Sequence, residues 1–170
     1  MRYGTTQPYI GAAGQIAAGI ITQDKLSPVI TNVKARAFRS AAAQAIAAIT
    51  YTKVQLNGET FDIASMYDNV TNYRFTIAAG YAGFYLIAAN ISVYGDAVGG
   101  WARAAIYKNG AVVAIGVQGY PAGAPIASIH VEDYLSLAGG DYVEIWIYLD
   151  TAGQVSSGTM YTWADFLRIF

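Results

Sequence analysis

Residues 72–94 read NYRFTIAAGYAGFYLIAANISVY, and this stretch decides the fold of the chain. Apolar side chains recur at every second position, first around Phe75 and then from Tyr81 to Val93. A period of two is typical of β-strands, because their successive side chains point to opposite faces of a sheet. The stretch therefore predicts two strands joined at a glycine-hinged turn, a hairpin that forms the centre of the fold.

The longer of these strands has an apolar character on both faces. Burial on both faces suits a strand in the middle of a sandwich or barrel. The alternation leaves open which face meets the core. One face carries Tyr81, Gly83, Tyr85, Ile87, Ala89, Ile91 and Val93, and the other carries Phe84, Leu86, Ala88, Asn90, Ser92 and Tyr94.

The rest of the chain repeats the strand pattern in shorter segments. Alternation predicts strands at 33–38, 51–56, 101–107, 111–118, 126–137, 142–149 and 159–170. Asn57-Gly58 and Lys108-Asn109-Gly110 predict tight turns, and residues 59–71, 119–125 and 151–158 read as loops. The alanine-rich segment 41–49 fits a helix by propensity and a strand by context. About ten strands with no long helix indicate an all-β sandwich or jelly roll.

The composition points to a surface that another subunit covers. Only 12% of residues are charged, against about 25% in a typical protein, while 55% are apolar. Fourteen tyrosines add side chains suited to surfaces that are partly buried and partly wet. The chain lacks cysteine, which excludes disulfides and thiolate metal sites. We therefore expect self-association rather than a disulfide scaffold.

Charge and hydropathy exclude two classes of partner. A net charge of −1 offers no attraction for phosphate backbones, so we expect no nucleic-acid binding. No apolar run approaches the roughly 20 residues of a membrane span, so we expect no membrane insertion. Gly11 and Gly14 interrupt any hydrophobic region of a secretory signal, and we expect the mature protein to start at or near Met1.

Residues 1–32 differ from residues 33–170, and we interpret them as a separate N-terminal arm. Several glycines and two prolines punctuate the arm, so a lone helix there would be marginal. It is either a loosely packed leader or an attachment segment that becomes ordered against a partner. Residues 20–26, which read IITQDKL, resemble short connectors in bacteriophage tail-fibre and virion proteins.

A series of landmarks between residues 33 and 170 carries a second resemblance. In chain order they are Arg36–Phe38, Val54–Leu56, Tyr67-Asp68, Tyr73–Phe75, Gly83–Tyr85, Ile106–Gly110, Leu135–Val143 and Phe166–Ile169. This order resembles the globular head domain of complement component 1q and its tumour-necrosis-factor-like relatives. The resemblance implies a ten-stranded jelly-roll sandwich that assembles as a trimer. The chain departs from that pattern in a longer gap between Phe75 and Gly83, and in Ile87 where a second aromatic is common.

The sequence shows no catalytic or cofactor-binding motif. His130 is the single histidine, and although Glu132 shares its face, no activated nucleophile or second imidazole accompanies it. Asp62 and Asp68 share a predicted loop, which is a possible calcium environment without the spacing of a calcium-binding loop. We therefore predict no enzyme activity and no cofactor, with calcium at these two aspartates as the open alternative.

Aromatic and aliphatic residues divide into two predicted groups. The first group is predicted to lie in the core or the trimer seam and comprises Tyr73, Phe75, Tyr85, Ile87, Trp146 and Phe166. The second lies near strand ends, where aromatic rings can stack on sugars, and comprises Tyr94, Trp101, Tyr120 and Trp163. The second group is therefore the predicted ligand-facing set.

Together these patterns predict a non-enzymatic virion structural protein of a bacteriophage. It would be a homotrimeric knob that decorates the capsid or forms a fibre or receptor-binding tip, and residues 1–32 would bind other virion proteins. Its external partner would be a host-surface saccharide or protein. The alternative is a soluble trimeric carbohydrate- or protein-binding module of cellular origin, similar to a lectin. Fold class alone does not distinguish the two.

Overall fold

The computed structural model describes residues 33–94, 100–119 and 126–169. The predicted arm at 1–32 and Tyr120 lie outside these ranges. Within them the chain forms thirteen strands and no helix. The strands are β1 (Lys34–Phe38), β2 (Gln44–Ile46), β3 (Thr52–Lys53), β4 (Gly58–Asp62), β5 (Tyr67–Asp68), β6 (Arg74–Thr76), β7 (Gly83–Tyr94), β8 (Trp101–Lys108), β9 (Ala111–Gly119), β10 (Ile126–Leu137), β11 (Tyr142–Leu149), β12 (Gly153–Val155) and β13 (Trp163–Arg168).

These strands form two sheets, and every pairing between them is antiparallel. The first sheet has the order β2-β12-β7-β13-β1-β4, and β10 pairs with β7 along its whole length. The second sheet has the order β5-β6-β11-β8-β9, with β3 beside β11. The predicted all-β jelly-roll class is confirmed. Thirteen strands replace the predicted ten because several have only two or three residues.

The strand β7 is central to the first sheet, as its sequence predicts. It pairs with β10 on one side and with β13 and β12 on the other. The structure also resolves which of its two faces is internal. Burying each large apolar side chain contributes roughly 1.5–3 kcal/mol. The fully buried inward residues of β7 are Tyr85, Ile87, Ala89, Ile91 and Val93.

Aromatic rings from both sheets meet in the core. Phe75 of β6 stacks on Phe166 of β13 with ring centroids 4.8 Å apart. Phe75 also meets Tyr85 edge-on at 5.9 Å. Tyr67 of β5 packs beside Phe166, and its hydroxyl donates a hydrogen bond to the buried carbonyl of Leu56. Offset and edge-on pairs of this kind are favourable ring arrangements, so this cluster ties the two sheets together.

The predicted hairpin between residues 73 and 94 is wrong. β6 belongs to the second sheet, where it pairs with β5 and β11, whereas β7 belongs to the first. The chain crosses between the sheets through a turn in which the N–H of Tyr81 donates to the carbonyl of Ala78 and Gly80 has φ 86°. Placing the strands on opposite sheets lets Phe75 and Tyr85 bury each other, which a flat hairpin would not allow.

Several local predictions also need correction. Asn57-Gly58 does not make a tight hairpin turn: β4 starts at Gly58 and pairs with β1, while the Asn57 side chain accepts hydrogen bonds from two main-chain N–H groups. The predicted loop at 59–71 therefore contains most of β4 and all of β5, and the loop at 151–158 contains β12. Sheet pairing overrides local turn signals at these positions.

The alanine-rich segment 41–49 follows the strand alternative in part. β2 occupies residues 44–46 and pairs with β12. The side chain of Gln44 holds the segment against its neighbour, since its amide donates to the carbonyl of Lys53 and its Oε1 accepts from the N–H of Gln55. The predicted strand at 51–56 is reduced to Thr52–Lys53. Tertiary hydrogen bonds thus outweigh helix propensity here.

The turn at Lys108-Asn109-Gly110 is confirmed as a hairpin. It joins β8 to β9, and both Asn109 and Gly110 have positive φ, at 51° and 81°. These dihedrals match a type I′ turn, for which Asn-Gly is the preferred pair. Asp141 links this turn to the turn between β10 and β11, because its carboxylate accepts a hydrogen bond from the Asn109 amide and lies 2.9 Å from the Lys108 ammonium.

Candidate functional site

The outward residues of β7 and its neighbours form an apolar patch on the first sheet. Phe84, Leu86, Tyr134 and Leu167 make up this patch, which we call the Leu86 patch. Register places Tyr134 of β10 and Leu167 of β13 on either side of Leu86. Tyr134 is 66% exposed, Phe84 45% and Leu167 39%. Contiguous exposed apolar surface of this kind marks an interaction site more often than a free surface.

Charged groups border the Leu86 patch. Arg36 forms a 3.1 Å ion pair with Asp165, and its guanidinium also lies 4.4 Å from the centre of the Trp163 ring. Partial burial raises the pKa of Asp165, and Arg36 opposes that rise. His130 lies on the same face, with Nε2 3.5 Å from a carboxylate oxygen of Glu132. The patch therefore has an apolar centre and a polar border, the usual anatomy of a protein interface.

The outer face of the second sheet carries a row of aromatic rings: Tyr51, Tyr107, Trp146 and Tyr148. In the order Trp146, Tyr107, Tyr51, Tyr148, the centroids of neighbouring rings are 4.9, 6.1 and 5.3 Å apart. The buried carboxylate of Glu144 fixes one end of it, because it accepts from the Trp146 indole at 3.1 Å and from the Lys53 ammonium at 2.6 Å. The row is thus held in place by its own polar contacts.

A shallow depression of about 550 Å³ lies on the same face, between β8 and β9. Its lining residues are Trp101, Arg103, Ile115 and Val117, and we call it the Trp101 depression. Trp101, Ile115 and Val117 are each about half exposed. The guanidinium of Arg103 lies 5.0 Å from the centre of the Tyr148 ring. That cation–π contact connects the aromatic row to the depression through Arg103.

A second depression, of about 510 Å³, lies near the end of β7. Its wall is mostly hydroxyl-bearing, with Tyr94, Ser156, Ser157 and Tyr161 beside Ala43 and Ile126. The Tyr94 hydroxyl is already engaged, since it donates to Oε1 of Gln154 at 3.2 Å. The size of this depression is within the range of small-molecule sites.

The structure places the six predicted core or seam residues at different depths. Phe75, Tyr85, Ile87 and Phe166 are fully buried between the sheets. Tyr73 is partly exposed and precedes β6 with a φ of 48°. Trp146 is partly exposed on the outer face of the second sheet, stacked on Tyr107. The six residues therefore do not share one surface.

The four predicted ligand-facing aromatics are also not brought together. Tyr94 lines the depression at the end of β7, and Trp101 lines the depression on the second sheet. Trp163 lies on the outer face of the first sheet beside Arg36. Tyr120 lies outside the described residues. Any saccharide contact would therefore involve one of these aromatics with other neighbours, not the set.

The possible metal ligands Asp62 and Asp68 are not joined by further ligands in the part of the chain that the structure describes. No group of three His, Cys, Asp or Glu side chains there could hold a metal ion. Asp68 accepts hydrogen bonds from the main-chain N–H groups of Val70, Thr71 and Asn72, which lower its pKa to about 2. Asp62 has one oxygen bound to the N–H of Tyr67 and one buried oxygen without a partner among the described residues.

Residues 33–94, 100–119 and 126–169 contain no helix with the length and hydrophobicity that a membrane span requires.

Sequence reasoning missed the residues that shape both outer faces. Leu167 and Tyr134 join the Leu86 patch only through strand register, which the chain order does not show. Arg103 and Tyr148 had a usable signal, because each alternates with inward apolar residues in its own strand. The alternation predicts that both residues lie on an outer face, but it does not predict that they are neighbours. Their contact follows from the register between β8 and β11.

Comparison with known proteins supports the fold and nothing finer. No family model matches the chain, and no curated protein matches it in sequence. Eiger TNF from S. frugiperda has a similar structure, with a TM-score of 0.62 and 9% identity over 82% of this chain and 93% of that one. Murine APRIL is similar with a TM-score of 0.61 and 11% identity over 81% of this chain and 99% of that one. The chain therefore has a jelly-roll fold of the tumour-necrosis-factor type.

Proposed function

We propose that this protein is a non-enzymatic structural protein of a bacteriophage virion, built as a trimeric knob. Residues 33–170 would form the head, and residues 1–32 would attach it to the particle as a capsid decoration or as a fibre or receptor-binding tip. The outer face of the first sheet carries the trimer part of this proposal, because it exposes the Leu86 patch on an otherwise well-packed sheet.

The physical case for association rests on the patch and the composition together. Phe84, Leu86, Tyr134 and Leu167 are adjacent by register and flank a buried Ala88, so they offer a continuous apolar surface. Burial of such a surface contributes roughly 25 cal/mol per Å². With only 12% charged residues, the chain has little charge with which to keep such surfaces apart. Three copies that each cover this patch would bury it from water.

Light scattering on the purified full-length chain tests this association. We expect a mass of three times 18.1 kDa. A monodisperse monomer at micromolar concentration would contradict the trimer and remove the role given to the Leu86 patch. A dimer would also contradict it, because it would indicate an isologous contact instead of a ring of three.

The virion part of the proposal rests on residues 20–26, which resemble connectors of tail-fibre and virion proteins. Mass spectrometry of purified phage particles from the source of this chain tests it directly, and capsid or tail genes beside its gene would support it. A variant lacking residues 1–32 should be absent from those particles while the full chain is present. Detection of the protein only in cell lysate, with no phage genes nearby, would contradict the proposal.

The alternative is a soluble trimeric module of cellular origin that binds carbohydrate or protein. The Trp101 depression is the observation that favours it, because an exposed indole beside an arginine offers a sugar a stacking surface and N–H donors. Both functions include a trimeric head, so light scattering does not distinguish them. Gene neighbourhood and particle composition do.

A further inference from the structure

The Trp101 depression lies on the opposite sheet from the Leu86 patch. Trp101 is the first residue of β8 and pairs with Gly119 of β9, while Arg103, two residues further along β8, pairs with Val117. The patch that is proposed to join subunits belongs to the first sheet, so the two surfaces share no residue. Its role can therefore be examined separately from the question of assembly.

The indole of Trp101 is held as a flat platform. A Cβ added to Gly119 would lie 3.5–3.8 Å from three atoms of the six-membered indole ring, so the ring rests on the bare backbone of β9. The main chain of Trp101 is fixed as well, because its N–H donates to Asp150 at 2.9 Å and its carbonyl accepts from the N–H of Asp150 at 3.1 Å. The six-membered ring is thus in contact with β9, while the residue as a whole is 54% exposed.

Arg103 supplies polar groups beside that platform. Its guanidinium packs against Tyr148, yet it forms no hydrogen bond and no salt bridge with any residue that the structure describes. A guanidinium carries five N–H donors in a planar fork that matches a carboxylate. Asp150 is engaged by the N–H of Trp101, so within the described residues the N–H donors of Arg103 are not used.

The shape and charge of the depression select the kind of ligand. Its volume of about 550 Å³ is within the range of small-ligand sites, and its lining combines an indole, a guanidinium and the aliphatic side chains Ile115 and Val117. A pyranose ring has an apolar C–H face that suits an indole, and polar groups at its rim that suit N–H donors. A guanidinium that has no ion-pair partner among the described residues favours a sugar that carries a negative charge.

We propose that the Trp101 depression binds an acidic saccharide, with the sugar ring stacked on Trp101 and its carboxylate bound by Arg103. Tyr148 acts as a positioning residue, because it holds the guanidinium through the cation–π contact. This inference concerns a ligand site and does not require that the protein be trimeric or part of a virion.

Titration of the full-length protein with two matched pairs of sugars tests the site. The pairs are trigalacturonate with its methyl ester, and 3′-sialyllactose with lactose. We expect the indole N–H signal of Trp101 in an NMR spectrum to shift with the acidic member of at least one pair. The neutral member of that pair should bind at least tenfold more weakly, a change that corresponds to about 1.4 kcal/mol.

Variants assign the binding to individual side chains. Trp101→Ala and Arg103→Gln should each weaken binding of the acidic sugar at least tenfold, and Arg103→Gln should remove the preference over the neutral sugar. Met160→Ala is the control, because Met160 is 78% exposed and lies outside both the depression and the Leu86 patch, and this variant should bind like the wild type. Tyr148→Leu should weaken binding, while Tyr148→Phe should retain it.

Four outcomes would overturn the inference. These are the absence of any Trp101 shift with both acidic sugars at millimolar concentration, equal binding of acidic and neutral sugars, and displacement of the sugar by triglutamate at equal concentration. The fourth is a change of mass by light scattering in Trp101→Ala, which would mean that copies of the chain cover this face. If the wild-type protein is a monomer and still binds the acidic sugar through Trp101, the proposed trimer is contradicted and the saccharide site stands.

Discussion

Gly116 of β9 lies directly against the main-chain carbonyl of His130 in β10. A Cβ at Gly116 would collide with that carbonyl oxygen and also approach the carbonyl carbon at 3.0 Å. The two strands belong to different sheets and do not pair in register, so this contact is where the edges of the two sheets meet. Only glycine permits such a close approach of two backbones.

Gly116→Ala should therefore destabilise the fold more than an ordinary strand substitution. A main-chain carbonyl cannot rotate away, so β9 would have to move from β10, at a cost of about 2 kcal/mol or more. Urea unfolding followed by circular dichroism measures this. Gly119→Ala is the control in the same strand, since its Cβ would make only ordinary contacts of 3.5–3.8 Å. Equal stability of the two variants would show that the edges are not in tight contact.

Neighbouring residues of β13 should separate folding from association. Phe166 is fully buried and stacks on Phe75, whereas Leu167 is 39% exposed in the Leu86 patch. Phe166→Ala should cost roughly 3–5 kcal/mol in unfolding free energy. Leu167→Asp should leave a folded chain and convert trimer to monomer in light scattering, because a charge enters the proposed interface.

Val70→Asp is the control for Leu167→Asp. Val70 is 74% exposed in a turn outside both sheets, so this variant should keep the mass of the wild type. The assignment of faces would be contradicted if Leu167→Asp kept the wild-type mass while Val70→Asp lost it.

Stability should fall at acid pH partly through Asp141. Hydrogen bonds from the Ala138 N–H, the Asn109 amide and the Lys108 ammonium hold its pKa at about 2. A carboxyl whose pKa is lowered in the folded state stabilises that state above its unfolded pKa of about 4. That contribution is lost as the pH falls from about 4 to about 2.

Asp141→Asn should therefore be less stable than the wild type at pH 7, with the difference shrinking as the pH approaches 2. Urea midpoints at several pH values measure the difference. Glu132→Gln is the control, because that carboxylate is solvent-exposed and accepts no hydrogen bond from the main chain of the described residues. If the difference in urea midpoint between Asp141→Asn and the wild type stayed constant across the acid range, the stabilising effect of Asp141 would not depend on its ionised form.

Chelation should leave the melting temperature unchanged. Both oxygens of Asp68 are occupied, with Oδ1 accepting from two main-chain N–H groups and Oδ2 from the N–H and amide of Asn72. A calcium ion prefers six to eight oxygen ligands and would have to displace these donors. A differential scan with and without EDTA measures the effect. A fall of several degrees that added calcium reverses would revive the calcium site at Asp62 and Asp68.

The sequence predicted the class of fold well because the class depends on alternation. Each long strand shows its period of two, and the inward face of β7 proved to be the larger apolar set that begins at Tyr81. Pairing was harder to predict. The residues around Phe75 and those from Gly83 onward are close in sequence, which favours a hairpin, yet the need to bury both sets of rings assigns them to different sheets.

The surfaces were less accessible to sequence reasoning for a related reason. The Leu86 patch joins residues from three strands, and Leu167 is 81 positions away from Leu86 in the chain. The sequence singled out Trp101 as an aromatic near a strand end, and it is the first residue of β8, but Arg103 in the same depression looked like one more polar residue in an alternating strand. Register creates both surfaces, and register depends on the whole sheet.

The alternation of β7 also separates two kinds of genetic change. Odd-numbered positions from Tyr85 to Val93 are fully buried in the chain's own core, while Phe84 and Leu86 face outward. If copies of the chain associate through the Leu86 patch, changes at Phe84 and Leu86 should alter assembly and leave the fold of a single copy intact. A library restricted to these two codons would then vary the number of subunits on an unchanged scaffold.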